Sequence, residues 1–507
     1  MEVNRVQNNS EGNNNNGNIN RGYLGAVAAV GAVAAGGLYY LYSSKGKDKS
    51  QVNQARPTEA EMSQQPGTNT TMTGLLGSFT DMLRFANTPV MPVRPEVVIP
   101  ENPVITNLNG LLADIYVRHI ALRDDDFEKH YKVFDSIFRR LVKEMKEGDA
   151  YFKQYSSTVQ FAGSHYDRLR INKPDEFDMD IIIGLPVNLS EDRVNPAKSD
   201  VVLEPKSPGF IQLKMGDQFK NLPNRDGEGW LINKAAYKWL DERNYLLRSK
   251  FTDWFKSVVD LGLQRFERNS NGSRYSVVDG VPYTLRLSSS GPAITLIIEN
   301  QPTRFKLDVD LVPALKFPEE RWPICRGYRK VPKTCSKDIW MVVPKPNKAG
   351  LNKYDMDRSW RLALHLQERE LMHDTNNMRQ AIRLIKKLRD SMGMNKIASY
   401  YIKTLFFLEA IEHENDPTYW SRNNPAMLFI TMVKKFHKAL SDGVIPYFWN
   451  KDNNLIGHID KSILTGYANK LQKLMEVLNT PAQYKTVAKY LLPPADFDVY
   501  NKKFLHI

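Results

Sequence analysis

Apolar side chains recur every three or four residues soon after Leu111, where polar, proline-rich sequence gives way to a helical pattern. The series is Phe127, Tyr131, Phe134, Phe138, Leu141 and Met145. Basic side chains occupy the other faces, among them Lys132, Arg139, Arg140, Lys143 and Lys146. The pattern predicts a long amphipathic helix with a basic outer side.

Strand-like alternation follows in residues 159–171 and 176–186, around a Gly-Ser turn. We predict further strands at 276–278, 283–287, 293–299 and 305–311, with helical periodicity over 234–266. From residue 360 the pattern is mainly helical, over 360–371, 378–392, 398–411, 426–440 and 461–478. These elements predict an α+β fold, with a mixed-sheet core at 111–359 and a helical C-terminal domain at 360–507.

Residues 1–110 have a different composition. Residues 1–22 are rich in Asn, which predicts disorder. Residues 23–42 are twenty residues without a charge, enough to span the bilayer core of about 30 Å, and a lysine cluster follows at 45–49. We expect a single transmembrane helix with residues 43–507 in the cytoplasm, joined to the core by a flexible linker at 43–110. A cleaved secretory signal and a disordered Ala/Gly tract are the alternatives, and both the endoplasmic reticulum and the mitochondrial outer membrane suit the anchor.

The charge balance narrows the class of partner. The 507 residues include 70 Lys+Arg and 57 Asp+Glu, a formal net charge of +13. Residues 1–110 contain eight of each sign, so the whole excess lies in 111–507 and points to an anionic partner. The two cysteines, Cys325 and Cys335, exclude a disulfide-rich secreted scaffold.

Carboxylates line one face of two predicted strands. In EFDMD, Glu176, Asp178 and Asp180 alternate with apolar residues, and Asp308 and Asp310 do so in KLDVDL. Because like charges on one face repel, a divalent cation is the simplest explanation, although acids at a solvated sheet edge would give the same pattern. Two such strands are typical of phosphoryl or nucleotidyl transfer with two Mg²⁺ ions about 3.5–4 Å apart.

The Gly-Ser turn lies just before the first acidic strand. Gly163 allows the backbone to approach a triphosphate closely, and the Ser164 hydroxyl and neighbouring N–H groups can bind its oxygens. The turn and the carboxylates therefore predict a site for a nucleoside triphosphate.

These motifs resemble a known family. The runs GSHYDRLRINKPDEFDMDIIIGLP, GPAITLII with VDLVPAL, SWRLALHLQERE and SYYIKT are similar to the nucleotidyltransferase fold of cyclic GMP-AMP synthase and its animal cyclic GMP-AMP synthase-like receptors. The resemblance covers roughly residues 111–500 and implies a nucleotidyltransferase core with a long spine helix. It also implies Mg²⁺ or Mn²⁺ held by Glu176, Asp178 and Asp310, with ATP and GTP as substrates.

The same resemblance implies further nucleotide-binding residues. Beside Gly163, Ser164 and the three carboxylates, the matching positions are Arg361, Glu368, Lys386, Ser399, Tyr400 and Lys403. Small hydroxyl residues of the family are replaced here by Ala363 and His365, which leaves the choice of base open. Tyr400 and Tyr401 would also suit an ordinary helix core, and His365 an ordinary buried histidine.

The sequence lacks the His/Cys zinc insertion with which the vertebrate enzyme grips DNA. The resemblance therefore shifts the expected activator from DNA toward double-stranded RNA, as in the insect-type receptors, or toward an unknown ligand. A homodimer formed on ligand binding is a further expectation. Basic surfaces bind double-stranded RNA through phosphate contacts. The predicted contacts are Arg139, Arg140, Lys143, Lys146, Arg379, Arg383, Lys387 and Arg389, although a merely solvated basic face is the alternative.

The sequence is compatible with two functions. The first is a membrane-tethered nucleotidyltransferase that makes a cyclic dinucleotide messenger in innate immune sensing. The second is a non-catalytic mitochondrial outer-membrane adaptor of the fission-dynamics type with the same fold. The predicted anchor favours the adaptor, whereas the carboxylates favour the enzyme, because a scaffold does not need a cluster of repelling charges.

Overall fold

The computed structural model describes residues 101–507, except for 102, 104, 123, 165, 172–174, 191–199, 291–292, 324–326, 348–351 and 374. The predicted disordered N-terminus, the predicted transmembrane segment and nearly all of the predicted linker lie outside these residues. Within the described part, no helix is both long and apolar enough to cross a bilayer.

The described strands include eleven that form one mixed sheet. They are β1 (Ser156–Ala162), β2 (Glu176–Ile183), β3 (Val201–Ser207), β4 (Phe210–Met215), β5 (Glu267–Arg268), β6 (Arg274–Val278), β7 (Val281–Ser290), β8 (Ala293–Asn300), β9 (Phe305–Pro318), β10 (Ile339–Val343) and β11 (Ser359–Ala363). The hydrogen-bonded order is β3-β4-β11-β10-β9-β8-β7-β6-β5, while β2 pairs with β9, and β1 with β2. Since β2 runs parallel to β9 and β8 antiparallel to it, the predicted mixed sheet is confirmed.

Helices cover the sheet and make up most of the C-terminal region. They are α1 (Leu108–His119), α2 (Asp124–Gly148), α3 (Ala150–Tyr155), α4 (Asp217–Lys220), α5 (Leu222–Arg225), α6 (Trp230–Tyr237), α7 (Arg248–Gln264), α8 (Lys353–Arg358), α9 (His365–Glu370), α10 (Asn376–Ser391), α11 (Ser399–Glu412), α12 (Tyr419–Arg422), α13 (Pro425–Asp442), α14 (Lys461–Leu478), α15 (Ala488–Leu491) and α16 (Pro494–Tyr500). A small hairpin, β12 (Pro446–Tyr447) and β13 (Asn450–Asn454), follows α13. The predicted α+β core followed by a helical region is confirmed.

The long helix α2 packs on the apolar face of β2. Phe134 of α2 lies with its ring centroid 5.0 Å from that of Phe177, and Phe177, Met179 and Ile181 of β2 are buried. Because side chains alternate along a strand, burying this face against α2 turns the acidic residues of β2 to the opposite face. Hydrophobic packing therefore fixes the side of the sheet on which the carboxylates meet.

Two sequence predictions are wrong in detail. Residues 360–371 do not form one helix, because the first part is β11, which pairs with β4 and β10. Trp360 and Leu362 are both buried there, and only then does α9 begin. The helical stretch at 234–266 is split, since α6 ends at Tyr237 and α7 begins at Arg248. The sequence pattern also gives no sign of β3, β4 or β10.

Candidate active site

The two acidic strands meet in parallel register. Glu176 lies opposite Asp308, and Asp178 lies opposite Asp310. Glu176, Asp178 and Asp310 each offer a carboxylate oxygen, and these three oxygens all lie within 4.8 Å of one another. The structure therefore brings together the three predicted metal-binding carboxylates, although Asp310 lies more than 130 residues after Glu176 and Asp178 in the sequence.

The neighbouring strand β8 supplies a hydroxyl that sequence reasoning missed. Thr295 lies opposite Asp310, and its Oγ1 donates a hydrogen bond of 2.5 Å to Asp310 Oδ1. This bond orients Asp310 Oδ1 and leaves Asp310 Oδ2 available to bind a cation. The only sequence feature that indicates this role is a single threonine in the otherwise apolar run AITLII.

The carboxylates raise one another's proton affinity. Burial, followed by the charges of Glu176 and Asp310, raises the pKa of Asp178 well above its ordinary value, and Arg170 opposes the shift. Burial also raises the pKa of Asp310, although the hydrogen bond from Thr295 opposes it. Such a cluster is costly without a cation, and its all-oxygen donor set suits Mg²⁺ or Mn²⁺. The residues present therefore fit the predicted metal site.

Two cations already lie against the edge of this cluster. Arg170, which sequence reasoning missed, donates to Glu176 and, at 2.5 Å, to Asp175. Lys306 Nζ lies 2.8 Å from Asp308 Oδ2, whereas the other oxygen of Asp308 is buried without a hydrogen-bond partner. The protein thus neutralises part of the negative charge on its own.

The Gly-Ser turn packs directly on Asp178. Gly163 has φ +96°, a conformation that favours glycine, and a Cβ atom here would lie 2.6 Å from Asp178 Cγ and closer still to its Oδ2. The turn closes on itself because the amide of Leu169 donates to Ser164 O at 2.8 Å. Gly163 is therefore required by the close approach of the turn to a metal-binding carboxylate.

Three of the predicted nucleotide contacts lie in a buried network. Glu368 accepts hydrogen bonds from Tyr400 OH at 2.6 Å and from Trp449 Nε1 at 3.1 Å, and Lys403 Nζ lies 3.3 Å from its other oxygen. Lys403 also donates to Asp167 at 2.6 Å. Asp167 and Trp449 are members that sequence reasoning missed. All five side chains are buried, so neither the Tyr400 ring nor the Lys403 ammonium group is exposed to solvent.

The remaining predicted nucleotide contacts differ in exposure. Arg361 is half-buried, with its guanidinium carbon 5.8 Å from the centre of the Tyr400 ring. Ser399 is also half-buried and accepts a hydrogen bond of 2.9 Å from Arg389. Lys386 is buried, and its Nζ donates to Leu169 O at 2.6 Å. Burial lowers the pKa of Lys386 to about 7.

His365 connects the acidic strand to helix α9. Its Nε2 lies 3.5 Å from Asp180 Oδ2, and both side chains are buried. Burial raises the pKa of Asp180 to about 7 and lowers the pKa of His365 well below its ordinary value, so this imidazole is neutral at pH 7. His365 is a buried partner of Asp180 in this fold.

The predicted nucleic-acid contacts fall into two groups. On α2, Arg139 forms an ion pair with Asp135, Arg140 forms one with Glu267, and Lys143 is exposed. Lys146 is half-buried, which lowers its pKa. On α10, by contrast, Arg383 and Lys387 are buried, and Arg379 and Arg389 are half-buried. Of these eight predicted contacts only Lys143 is exposed, so the α2 group is the more accessible of the two to a polyanion.

A second group with metal-ligand chemistry lies at the C-terminal end of α11. Glu409, Glu412 and His413 offer ligand atoms within 4.8 Å of one another. Lys435 contacts both carboxylates of this group, and Tyr419 donates to Glu409. Lys435 pairs with both acids of this group, whereas Asp178 and Asp310 form no ion pair within the described part of the chain, so the β2–β9 cluster is the stronger candidate for a cation.

Two family models match consecutive parts of the chain, and relatives match most of its length. The sequence model of the Mab-21 protein nucleotidyltransferase domain matches residues 165–374, and that of the Mab-21 protein HhH/H2TH-like domain matches 377–473. A cyclic GMP-AMP synthase-like receptor of Tribolium castaneum is 32% identical over 394 residues, covering 78% of this chain and 94% of the relative. Another, of Ctenocephalides felis, is 30% identical over 405 residues, covering 78% and 90%. The chain therefore belongs to the Mab-21-type nucleotidyltransferase family that includes the cyclic GMP-AMP synthase-like receptors.

Proposed function

We propose that this protein joins ATP and GTP into a cyclic dinucleotide, as a messenger in innate immune sensing. The observation that carries the proposal is the convergence of Glu176, Asp178 and Asp310 beside the Gly163–Ser164 turn. Family membership supports nucleotidyl transfer, and the similarity to cyclic GMP-AMP synthase-like receptors supports a cyclic GMP-AMP product.

The reaction consists of two nucleotidyl transfers. In each, a ribose hydroxyl oxygen bonds to an α-phosphorus, the bond from that phosphorus to the bridging oxygen breaks, and pyrophosphate leaves. The hydroxyl proton passes to a carboxylate of the cluster or to water. The first transfer gives a linear dinucleotide, and the second closes the ring.

The residues of this chain bind and orient the reactants. Glu176, Asp178 and Asp310 would hold divalent cations, which when bound neutralise charge on the phosphate oxygens. The amides and hydroxyl of the Gly163–Ser164 turn would bind the triphosphate. Of the more distant predicted contacts, we expect the half-buried Arg361 and Ser399 to reach the nucleotides directly.

We further propose double-stranded RNA as the activator, bound along the outer side of α2. Arg139, Arg140 and Lys143 are spaced along a helix, and such a surface binds phosphates without reading sequence. Residues 23–42 would anchor the protein in the outer mitochondrial membrane or the endoplasmic reticulum, with the body in the cytoplasm, and ligand binding would bring two copies together.

The proposal is tested with the purified full-length chain, ATP, GTP, Mg²⁺ or Mn²⁺, and double-stranded RNA or DNA. We expect a cyclic dinucleotide by mass spectrometry from the wild type and none from Asp178→Asn. Asp217→Asn is the matched control and should retain activity, because Asp217 is an exposed aspartate on α4 and not part of the carboxylate cluster. Absence of product under every activator, with Asp178→Asn and the wild type alike, would refute the enzyme and favour the adaptor.

A further inference from the structure

Asp167 is a buried carboxylate in the loop that forms the Gly-Ser turn. Its side chain is only 2% exposed, and its Oδ2 accepts a hydrogen bond of 2.6 Å from Lys403 Nζ. Its backbone amide donates to Gly163 O at 3.3 Å. The residue thus contacts the turn through its backbone and helix α11 through its side chain.

The partner lysine is held in place by other buried groups. Lys403 Nζ also lies 3.3 Å from Glu368 Oε2, and Arg369 Nε lies 4.0 Å from Asp167 Oδ1. Burial by itself would lower the pKa of Lys403, but the charges of Asp167 and Glu368 reverse this and raise it. The lysine is therefore charged, and its charge is directed at the loop.

A second lysine holds the same loop two residues further on. Lys386 Nζ, from α10, donates to Leu169 O at 2.6 Å. The side chain of Leu169 is buried, and its amide donates to Ser164 O. Two lysines of the helical region, from neighbouring helices, therefore hold this loop at Asp167 and Leu169.

The position of this loop matters because Gly163 lies directly against Asp178. A small shift of the turn would change both the triphosphate-binding amides and the surroundings of a metal-binding carboxylate. We propose that Asp167 is a positioning residue whose buried bridge to Lys403 fixes the Gly163–Ser164 turn relative to the carboxylate cluster. The proposal rests on the proposed nucleotidyl transfer for its functional meaning.

The proposal changes the role of Lys386 and Lys403, which the sequence predicts to contact the nucleotide. In this fold Lys403 and Lys386 act on the nucleotide through the turn, because both are buried and both bind the loop. These two lysines would then set the geometry of the triphosphate site through the turn.

Hydrogen–deuterium exchange of the full-length chain tests this without substrate. In the wild type, we expect the amides of Asp167 and Leu169 to be protected by their bonds to the turn. Asp167→Asn should lose this protection, and Lys403→Gln should do the same from the other side of the bridge. If Asp167→Asn does not fold, the exchange of Lys403→Gln alone tests the proposal.

Glu409→Gln is the matched control. Glu409 is an equally buried carboxylate on α11 that binds Lys435 and Tyr419. We expect it to lower Tm as Asp167→Asn does, but to leave exchange at the turn unchanged. Wild-type exchange at both amides in Asp167→Asn and Lys403→Gln, or equal loss in Glu409→Gln, would overturn the proposal.

A kinetic readout separates positioning from stability. In Asp167→Asn we expect KM for the nucleotides to rise by about tenfold while the folded fraction stays constant, because misplaced binding groups weaken nucleotide binding and orientation. Unchanged KM and kcat would count against the proposal. If the wild type makes no product, the proposed function fails, whereas the exchange experiment still decides the role of Asp167.

Discussion

Replacing Gly163 by alanine tests the close approach of the turn to the metal-binding carboxylates. A non-glycine residue at positive φ costs about 1–2 kcal/mol, and Gly163 has φ +96°. The added methyl would also lie 2.6 Å from Asp178 Cγ, inside van der Waals contact, so the carboxylate or the turn must move. Since a working site tolerates displacements of only about 0.5 Å, we expect Mn²⁺ affinity to fall by tenfold or more.

A matched glycine separates the two effects. Gly272 has φ +83°, and a Cβ atom there would meet nothing within 4 Å. Gly272→Ala should therefore lose about 1–2 kcal/mol of unfolding free energy through backbone strain alone. Urea denaturation measures the loss in both variants, and electron paramagnetic resonance measures their Mn²⁺ affinity. If Gly163→Ala binds Mn²⁺ as tightly as Gly272→Ala does, the argument from close approach is refuted.

Three other outcomes follow from single basic side chains, two near the site and one on the outer side of α2. Arg170→Met should tighten Mn²⁺ binding, because it removes a cation that contacts Glu176; weaker binding in electron paramagnetic resonance would contradict this. Lys386→Met should flatten the pH dependence of unfolding: its folded pKa is about 7, so from pH 7 to the unfolded value near 10.5 the wild type gains stability as pH rises. Urea titrations across that range would show parallel curves if the lysine is not buried as described. Lys143→Ala should reduce the slope of log affinity for double-stranded RNA against log salt by about one, and an unchanged slope would place the RNA elsewhere.

Local alternation was enough to predict the acidic strands but not their partners. The period of two in EFDMD and KLDVDL identifies a face from neighbouring residues alone. The register that sets Asp178 opposite Asp310 depends on long-range pairing, and Thr295 joins the site only through that pairing. Sequence reasoning therefore found the carboxylates and missed the hydroxyl that orients one of them.

Tertiary pairing also explains the wrong helix at residues 360–371. The run SWRLALHLQERE is apolar enough for a helix, yet Ser359–Ala363 hydrogen-bonds to strands on both sides. Burial of both faces removes the alternation that would have indicated a strand. The same cause hides β10, whose sequence IWMVV is buried throughout most of its length.

The burial of charged residues on helix faces is the feature that the sequence predicts least well. Lys386, Arg383 and Lys387 lie on α10, where a basic run suggests a solvated surface, but all three are buried. Arg383 donates to Tyr116, a residue 267 positions away. A periodic pattern cannot show such a partner, so the division between phosphate contacts and structural contacts required the structure.

The electrostatics of the sheet distinguish an enzyme from an adaptor more sharply than the fold does. Four carboxylates, Glu176, Asp178, Asp308 and Asp310, meet where only Arg170 and Lys306 pair with them among the described residues. Burial and mutual repulsion raise the pKa of Asp178, which means that its ionised form destabilises the fold at neutral pH. The hydrophobic face of β2 would pack on α2 equally well with neutral residues on the other side, so the acids contribute nothing to that packing. The acids therefore favour nucleotidyl transfer, in which oxygen ligands hold divalent cations, over a binding surface without catalysis.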